Sequence, residues 1–366
     1  MPHAEPRLRP DQHAVTTGIA DVPDDRMWPA ALDHVVRGHD LTAVDANRVM
    51  RRVVRGEATP AQIAGLLTAL RTKGETSVEI TGFVEALQES AVRVDIPGPT
   101  VDIAGTGGDG TGAVNVSTMA AIVAAAAGST VVKHGGRSAS SRTGGAADLV
   151  EHLGIPLDLT PDQARQAAAN AGIVFLFGPR FNPGLRHAID ARRELGILTV
   201  FNTLGPLINP ADPQYRVVGV ADARMAPTVA EVLAARGRTG LVVRGRDGLD
   251  KFTTVTTSDV WIVRDGAIST TVLDPGELGL YRADPADLRG GTAADNAGTF
   301  RALLEGRTGP IRDVVLLNAA AVMTATALTR EPLVEQLGRA MSKCAAAVDD
   351  GSASAALQRL VAISAS

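Results

Sequence analysis

Between Val101 and Gly245 short apolar runs, VDIAG, STVVK, GIVFLFG, ILTVFN, RVVGVAD and GLVVRG, alternate with longer amphipathic segments. This rhythm constrains the fold more than any other feature. Strands separated by helical crossovers build an α/β fold with a mainly parallel central sheet flanked by helices. In such sheets ligands bind beyond the C-terminal ends of the strands, where this chain places its glycine-rich segments.

The first of these is GTGGDG, Gly105 to Gly110, after the run VDIAG. Gly105, Gly107, Gly108 and Gly110 let backbone N–H groups approach an anion without a Cβ in the way, and a following helix N-terminus adds partial positive charge. Thr106, Asn115, Ser117 and Thr118 follow as donors to phosphate or ribose oxygens, and Asp109 suits a metal or a sugar hydroxyl. A second small-residue loop carries Lys133, His134 and Arg137 in KHGGR. The spacing matches neither a Walker loop nor a dinucleotide-binding G-x-G-x-x-G. Two such loops suit a phosphate-rich ligand.

Length and composition set the frame. The 366 residues, 45% apolar, suffice for two domains, while aromatics make up only 3%. Packing must therefore rely on close contacts between small side chains. A formal charge of −4 without a long basic run argues against a nucleic-acid groove. The single cysteine, Cys344, excludes an internal disulfide and reads as a buried small residue. The apolar run MAAIVAAAAG, Met119 to Gly128, stops short of the roughly 20 residues of a membrane span. The expected setting is cytoplasmic, with no membrane partner.

Residues 1–28 read as a mobile leader, polar and proline-containing. Residues 29–95 read as a helical domain. Thr59 with Pro60 is a cap followed by a first-turn proline, Thr76 with Glu79 a capping box, and Gly56 and Gly74 are stops. Apolar surface left on so small a bundle is a candidate dimer contact. The large domain is expected over 98–179 and 206–366. Thr253 to Leu273 has the β-branched alternation of antiparallel strands, and three helices are expected near Asn296–Gly306, Asp313–Thr324 and Val334–Asp349.

The motifs together resemble the anthranilate phosphoribosyltransferases, relatives of the pyrimidine nucleoside phosphorylases. The resemblance rests on GTGGD, NVST, KHGGR, SSRTGGAAD, PRFNPG, RRELG and FNTLGPLINP. It implies phosphoribosyl pyrophosphate as donor, held by Gly105, Thr106, Gly107, Gly108, Asp109, Asn115, Ser117, Thr118, Lys133 and Ser141, with Mg2+ as cofactor. It also implies a segment near 180–205 that returns to the helical domain, and a homodimer formed through that domain. Catalysis then rests on transition-state positioning, with no catalytic triad expected.

The chain departs from the family pattern in two places. Where the family has an Asp-Glu pair for magnesium, this chain has Asp250 and Lys251. Ser117 and Asp250 remain as candidate metal ligands. An ammonium at the second position would repel a monovalent cation 4 Å away by roughly 4 kcal/mol under an effective dielectric near 20. On the acceptor side Gly136 replaces an asparagine and Asn182 a histidine, and Gly178 and Leu185 also differ, which predicts a roomier pocket. Arg192 matches the arginine that grips the acceptor carboxylate, Arg180 is a weaker second, and His134 is expected to contact the acceptor. An aromatic amine needs no strong base. An alkyl amine or aminocyclitol would need one, for which His134 or Asp148 are candidates.

These observations favour phosphoribosyl transfer to anthranilate or a bulkier amine-bearing analogue, in tryptophan biosynthesis or specialised metabolism. Transfer to an aminocyclitol, nucleoside phosphorolysis and a non-catalytic binding protein are the alternatives. The FNTLGPLINP stretch and Arg192 set it apart from the phosphorylases.

Overall fold

The computed structural model describes residues 18–137 and 145–363. Four helices come first: α1 (Met27–Val36), α2 (Ala43–Val54), α3 (Pro60–Lys73) and α4 (Ser77–Glu89). Local chemistry sets their ends. The hydroxyls of Thr59 and Thr76 accept from backbone amides three residues on, and the side chains of Gln62 and Glu79 reach back to the cap amides. Gly74, at φ +94°, ends α3. Glu79 is wholly buried and does more than cap, because it also accepts from the Leu41 amide at 3.0 Å and the Lys73 ammonium at 3.0 Å.

Residues 18–28, expected as the end of a mobile leader, are part of the fold. Ile19 is buried and its amide donates to Asp45 at 3.1 Å, while Met27 and Trp28 lie in the core as the first residues of α1. The aspartates and proline around them mask this anchor in the sequence.

Seven strands follow: β1 (Thr100–Gly105), β2 (Thr130–Gly135), β3 (Ile173–Phe177), β4 (Tyr215–Gly219), β5 (Thr239–Gly245), β6 (Ser258–Arg264) and β7 (Ala267–Leu273). Their order is β3-β2-β1-β4-β5-β6-β7, parallel from β3 to β5 and antiparallel at β6 and β7. Beyond the helical domain come α5 (Val116–Ala126), α6 (Ala146–His152), α7 (Pro161–Ala171), α8 (Gly178–Phe181), α9 (Ile189–Leu195), α10 (Val200–Leu204), α11 (Met225–Ala235), α12 (Ala293–Leu304), α13 (Pro310–Thr326), α14 (Leu333–Asp349) and α15 (Ser352–Ala362). The fold is α/β, as expected, with a separate set of N-terminal helices.

Strand alternation sorts the apolar residues into two cores. Val217, Leu241 and Val243 face one side with α5 and α13, whereas Val218, Val242 and Val263 face the other with α11 and the N-terminal helices. The helical domain and the sheet therefore share a continuous core. Helix α5 runs between strands and α13, and from Val116 to Ala125 every residue except Ser117 is buried. Alanine is what allows that close approach. Cys344 is buried against the Met323 sulfur at 3.5 Å, and burial pushes its thiol up to about 12.

One expected strand is not there. ILTVFN lies across a bend into α10, where the Thr199 amide donates to the Asn202 side chain at 3.0 Å. Its β-branched residues favour a strand locally, but this segment lies against the helical bundle and has no sheet edge to join. Ala188, Ala191, Val200, Phe201 and Leu204 share the bundle's core. Gly184 fits there because a Cβ would come within 2.8 Å of Val54. Among the described residues no helix is long and apolar enough to cross a membrane.

Candidate active site

Strands β1 and β4 are neighbours from which the sheet winds in opposite directions, so the loops leaving them part and open a crevice. Their last residues, Gly105 and Gly219, are register partners. The Thr106 amide donates to Gly219 O at 2.9 Å, and the Ala221 amide to the Thr106 hydroxyl at 3.1 Å. The Thr106 side chain thus joins the two loops.

Asp250 closes the floor of this crevice. A Cβ on Gly105 would lie 2.1 Å from Asp250 Oδ2, and one on Gly219 would lie 1.6 Å from Asp250 O. Both strand ends need glycine because this buried residue crosses them. Gly107, Gly108 and Gly110 take φ of +68°, +75° and +67°, a left-handed region that costs glycine little. The Gly107 amide donates to Asp250 Oδ2 at 2.7 Å. The amides of Gly108, Asp109 and Gly110 have no protein partner among the described residues. Successive free N–H groups ahead of a helix form an anion-binding nest.

Lys251 points into the site. Its Nζ contacts Asp250 Oδ1 and lies 3.5 Å from Asp109 Oδ2. The other oxygen of Asp109 accepts from the Thr111 amide and hydroxyl, both at 3.1 Å. Burial raises the Asp250 carboxyl despite the neighbouring ammonium, whereas at Asp109 burial is outweighed by Lys251 and Thr111 and its carboxyl is held low. Burial opposes the Lys251 charge, yet the two carboxylates hold its pKa above the usual lysine value. Asp250, expected as a metal ligand, has one partner on each carboxylate oxygen, the Lys251 ammonium and the Gly107 amide. The Ser117 hydroxyl, at the start of α5, has no partner among the described residues.

Lys133 lies beneath the loop, buried, donating from Nζ to Ile103 O at 2.8 Å. Burial lowers its pKa to about 8, with Asp102 pulling the other way. Asn115 precedes α5 and accepts at Oδ1 from the Asn296 side chain at 2.8 Å. Thr118 is buried within α5, and Ser141 lies outside the described residues. Sequence reasoning overlooked Asp102 and Asn296. Asp102 accepts from the His134 amide at 3.2 Å and from Asn209 at 2.8 Å, locking β1 to β2. Its legible signal was a charged residue inside an apolar strand.

On the other side of β2, His134 is buried with both ring nitrogens engaged. Nε2 lies 3.1 Å from Asn182 Nδ2, and Nδ1 lies 3.1 Å from Gly205 O. The carbonyl can only accept, so Nδ1 carries a proton, and the Asn182 amide nitrogen faces Nε2. Burial lowers the pKa of the ring. His134, expected as a possible base, thus meets Asn182 and Gly205 with its two ring nitrogens. Asp148, the other candidate base, accepts from the Gly145 amide at 2.6 Å and pairs with Arg137.

Among the described residues Gly136 would have nothing within 4 Å of a Cβ, and at Gly178 a Cβ would meet only ordinary contacts at 3.5 Å, one of them His134 Nε2. Leu185 packs against the helical core. The Asn182 Oδ1 is buried without a partner. Arg192, on α9, has its guanidinium carbon 5.2 Å from the Phe201 ring centre. It has no carboxylate partner among the described residues, and burial alone lowers its pKa. Arg180 instead pairs with Asp158 at 3.2 Å on the surface. Leu198 joins the two sides, since a Cβ on Gly108 would come within 2.7 Å of it.

Comparison with known proteins places this geometry in context. Residues 97–354 match the a/b domain of a glycosyl transferase family, and residues 29–91 match the helical bundle domain of the same group. The anthranilate phosphoribosyltransferase of Streptomyces avermitilis is 51% identical over 96% of this chain and 99% of its own length. The crystal structure of the Thermus thermophilus enzyme superposes with a TM-score of 0.85 at 39% identity, covering 92% of this chain and 99% of that one. The Saccharomyces cerevisiae enzyme in complex with phosphoribosyl pyrophosphate and magnesium gives 0.82 at 26% identity, covering 93% of this chain and 100% of that one.

Proposed function

The chain belongs to the anthranilate phosphoribosyltransferase family, and from that membership we propose that it moves the 5-phosphoribosyl group from phosphoribosyl pyrophosphate to anthranilate or a bulkier amine that carries a carboxylate. The reading rests on one arrangement: the amides of Gly108, Asp109 and Gly110, without a protein partner among the described residues, at the switch point between β1 and β4, with Arg192, which has no carboxylate partner among the described residues, as the candidate for the acceptor end. One end suits phosphates. The other suits a carboxylate.

The chemistry follows from what these groups can do. As the bond from the ribose anomeric carbon to pyrophosphate breaks, negative charge grows on the leaving oxygen and positive charge on the ribose. The nest amides would meet the first of these without reorganising, with the buried Lys133 ammonium adding positive charge beneath the loop. Arg192, stiffened against Phe201, orients the acceptor through its carboxylate. An aromatic amine is neutral at pH 7 and attacks without a base, which fits a site whose histidine is buried with both ring nitrogens engaged. Open space at Gly136 among the described residues supports an acceptor larger than anthranilate.

Magnesium would enter on the donor's phosphates, with the Ser117 hydroxyl, without a partner among the described residues, as a candidate ligand. A dimer is proposed through the helical domain, where Val36, Val44 and Val78 are 72%, 67% and 52% exposed. The decisive experiment is pyrophosphate release with donor, magnesium and anthranilate, with the product mass determined. A phosphoribosyl adduct of anthranilate is the expected product; donor binding without release would move the acceptor away from anthranilate, and release of a free base from nucleosides would favour phosphorolysis.

A further inference from the structure

We propose that the Lys251 ammonium is a resident cation of the donor loop, fixed between Asp109 and Asp250 so that the protein offers no carboxylate to a divalent ion there. The inference rests on the transferase reading for its meaning, but its geometry stands without it. All four carboxylate oxygens are engaged: Asp250 Oδ1 by Lys251, Asp250 Oδ2 by the Gly107 amide at 2.7 Å, Asp109 Oδ1 by Thr111, and Asp109 Oδ2 by Lys251 at 3.5 Å. The side chains are 14%, 16% and 3% exposed for Lys251, Asp109 and Asp250, so bulk solvent screens them little. Among the described residues no group of three or more histidine, cysteine or acidic side chains is placed to hold a metal.

Charge and reach both favour the lysine. Two carboxylates and one ammonium leave a net −1 beside the nest, and a divalent ion would have to displace the ammonium or sit next to it. A covalently attached cation loses no translational freedom on binding, so its local concentration is set by the chain rather than by the metal in solution. Asp250 is itself fixed by Gly105 and Gly219, whose missing Cβ atoms it overlies. The ammonium thus holds the loop in its anion-binding form without metal.

Mn2+ binding read by the loss of the free-ion electron paramagnetic resonance signal tests this on the full chain, with and without phosphoribosyl pyrophosphate. Without donor, the unaltered protein should bind Mn2+ at least ten times more weakly than Lys251→Glu, which restores an open carboxylate. With donor it should saturate at one ion fewer per chain than that variant. Equal donor-free affinities, or equal ion counts with donor, would overturn the proposal. Lys251→Met, with a folded thermal transition, should also gain donor-free Mn2+ affinity, because it frees oxygens on both aspartates; no gain would count against it. Donor binding by calorimetry separates this outcome from failure of the transferase reading, since the donor-free titration needs no donor site.

Discussion

The side-chain amide nitrogen of Asn182 lies 3.1 Å from Nε2 of His134, while Nδ1 donates to the Gly205 carbonyl and burial lowers the pKa of the ring. The transfer should then show no ascending limb near the usual histidine pKa. The pH profile of kcat/KM for the acceptor between pH 5.5 and 7.5 is expected to match in the unaltered protein and in His134→Gln. Asn182→Ala leaves Nε2 without its buried partner, and should lower the unfolding free energy by about 1 to 3 kcal/mol in a denaturant titration.

Lys133 predicts a different pH dependence. Its folded pKa of about 8 lies below the ordinary 10.5, so the folded protein bears the cost of a buried charge below pH 8. The unfolded chain binds the extra proton between 8 and 10.5, and stability from this group rises with pH across that window. The stability gap between Lys133→Met and the unaltered protein should therefore narrow by about 3 kcal/mol from pH 8 to 10.5. Donor binding runs the other way. The donor KM should rise above pH 8, by up to about tenfold per unit, as the ammonium is lost.

Arg192 stacks on Phe201 and has no carboxylate partner among the described residues. Arg192→Ala should raise the acceptor KM about 10- to 100-fold, in line with about 1.5 to 3 kcal/mol for hydrogen bonds to a charged group, and leave the donor KM unchanged. Initial-rate kinetics with each substrate varied in turn separates the two. An equal rise in both would remove Arg192 from the acceptor side.

Two glycines should respond oppositely to alanine. At Gly219 the new Cβ would lie 1.6 Å from the Asp250 carbonyl oxygen, a backbone atom that cannot step aside alone, and a loss of about 3 kcal/mol is expected. At Gly136 nothing among the described residues lies within 4 Å, so Gly136→Ala should stay within about 0.5 kcal/mol of the unaltered protein. Thermal or denaturant unfolding of the pair is the check.

Val44 and Val78 open α2 and α4 with their side chains in solvent. Changing both to aspartate should halve the mass seen by light scattering and leave the helical content intact by circular dichroism. An unchanged mass would place the dimer contact elsewhere or remove it.

The fold was legible where local and long-range preferences agree. Glycine-bounded apolar runs gave the parallel strands, the Thr59 and Thr76 caps gave α3 and α4, and the alternation after Thr253 gave the antiparallel pair β6 and β7. ILTVFN misled because β-branched residues favour a strand, while the position of the segment against the helical bundle decides for a helix. Trp28 looked like leader because burial of a helix start depends on partners such as Val49 and Leu67, far along the chain.

The sequence by itself determined the chemistry available to the site: glycines ahead of a helix for phosphates, an arginine for a carboxylate, and a lysine where a carboxylate was expected. Only the tertiary structure decided how those groups are spent. Asp250 reaches across two strand ends to the Gly107 amide, Lys251 turns toward Asp109, and Asn182 and Gly205 together consume both nitrogens of His134. Residue type fixes which bonds a group can form. Which bonds it does form depends on what distant segments bring within about 3 Å, and that is set by packing.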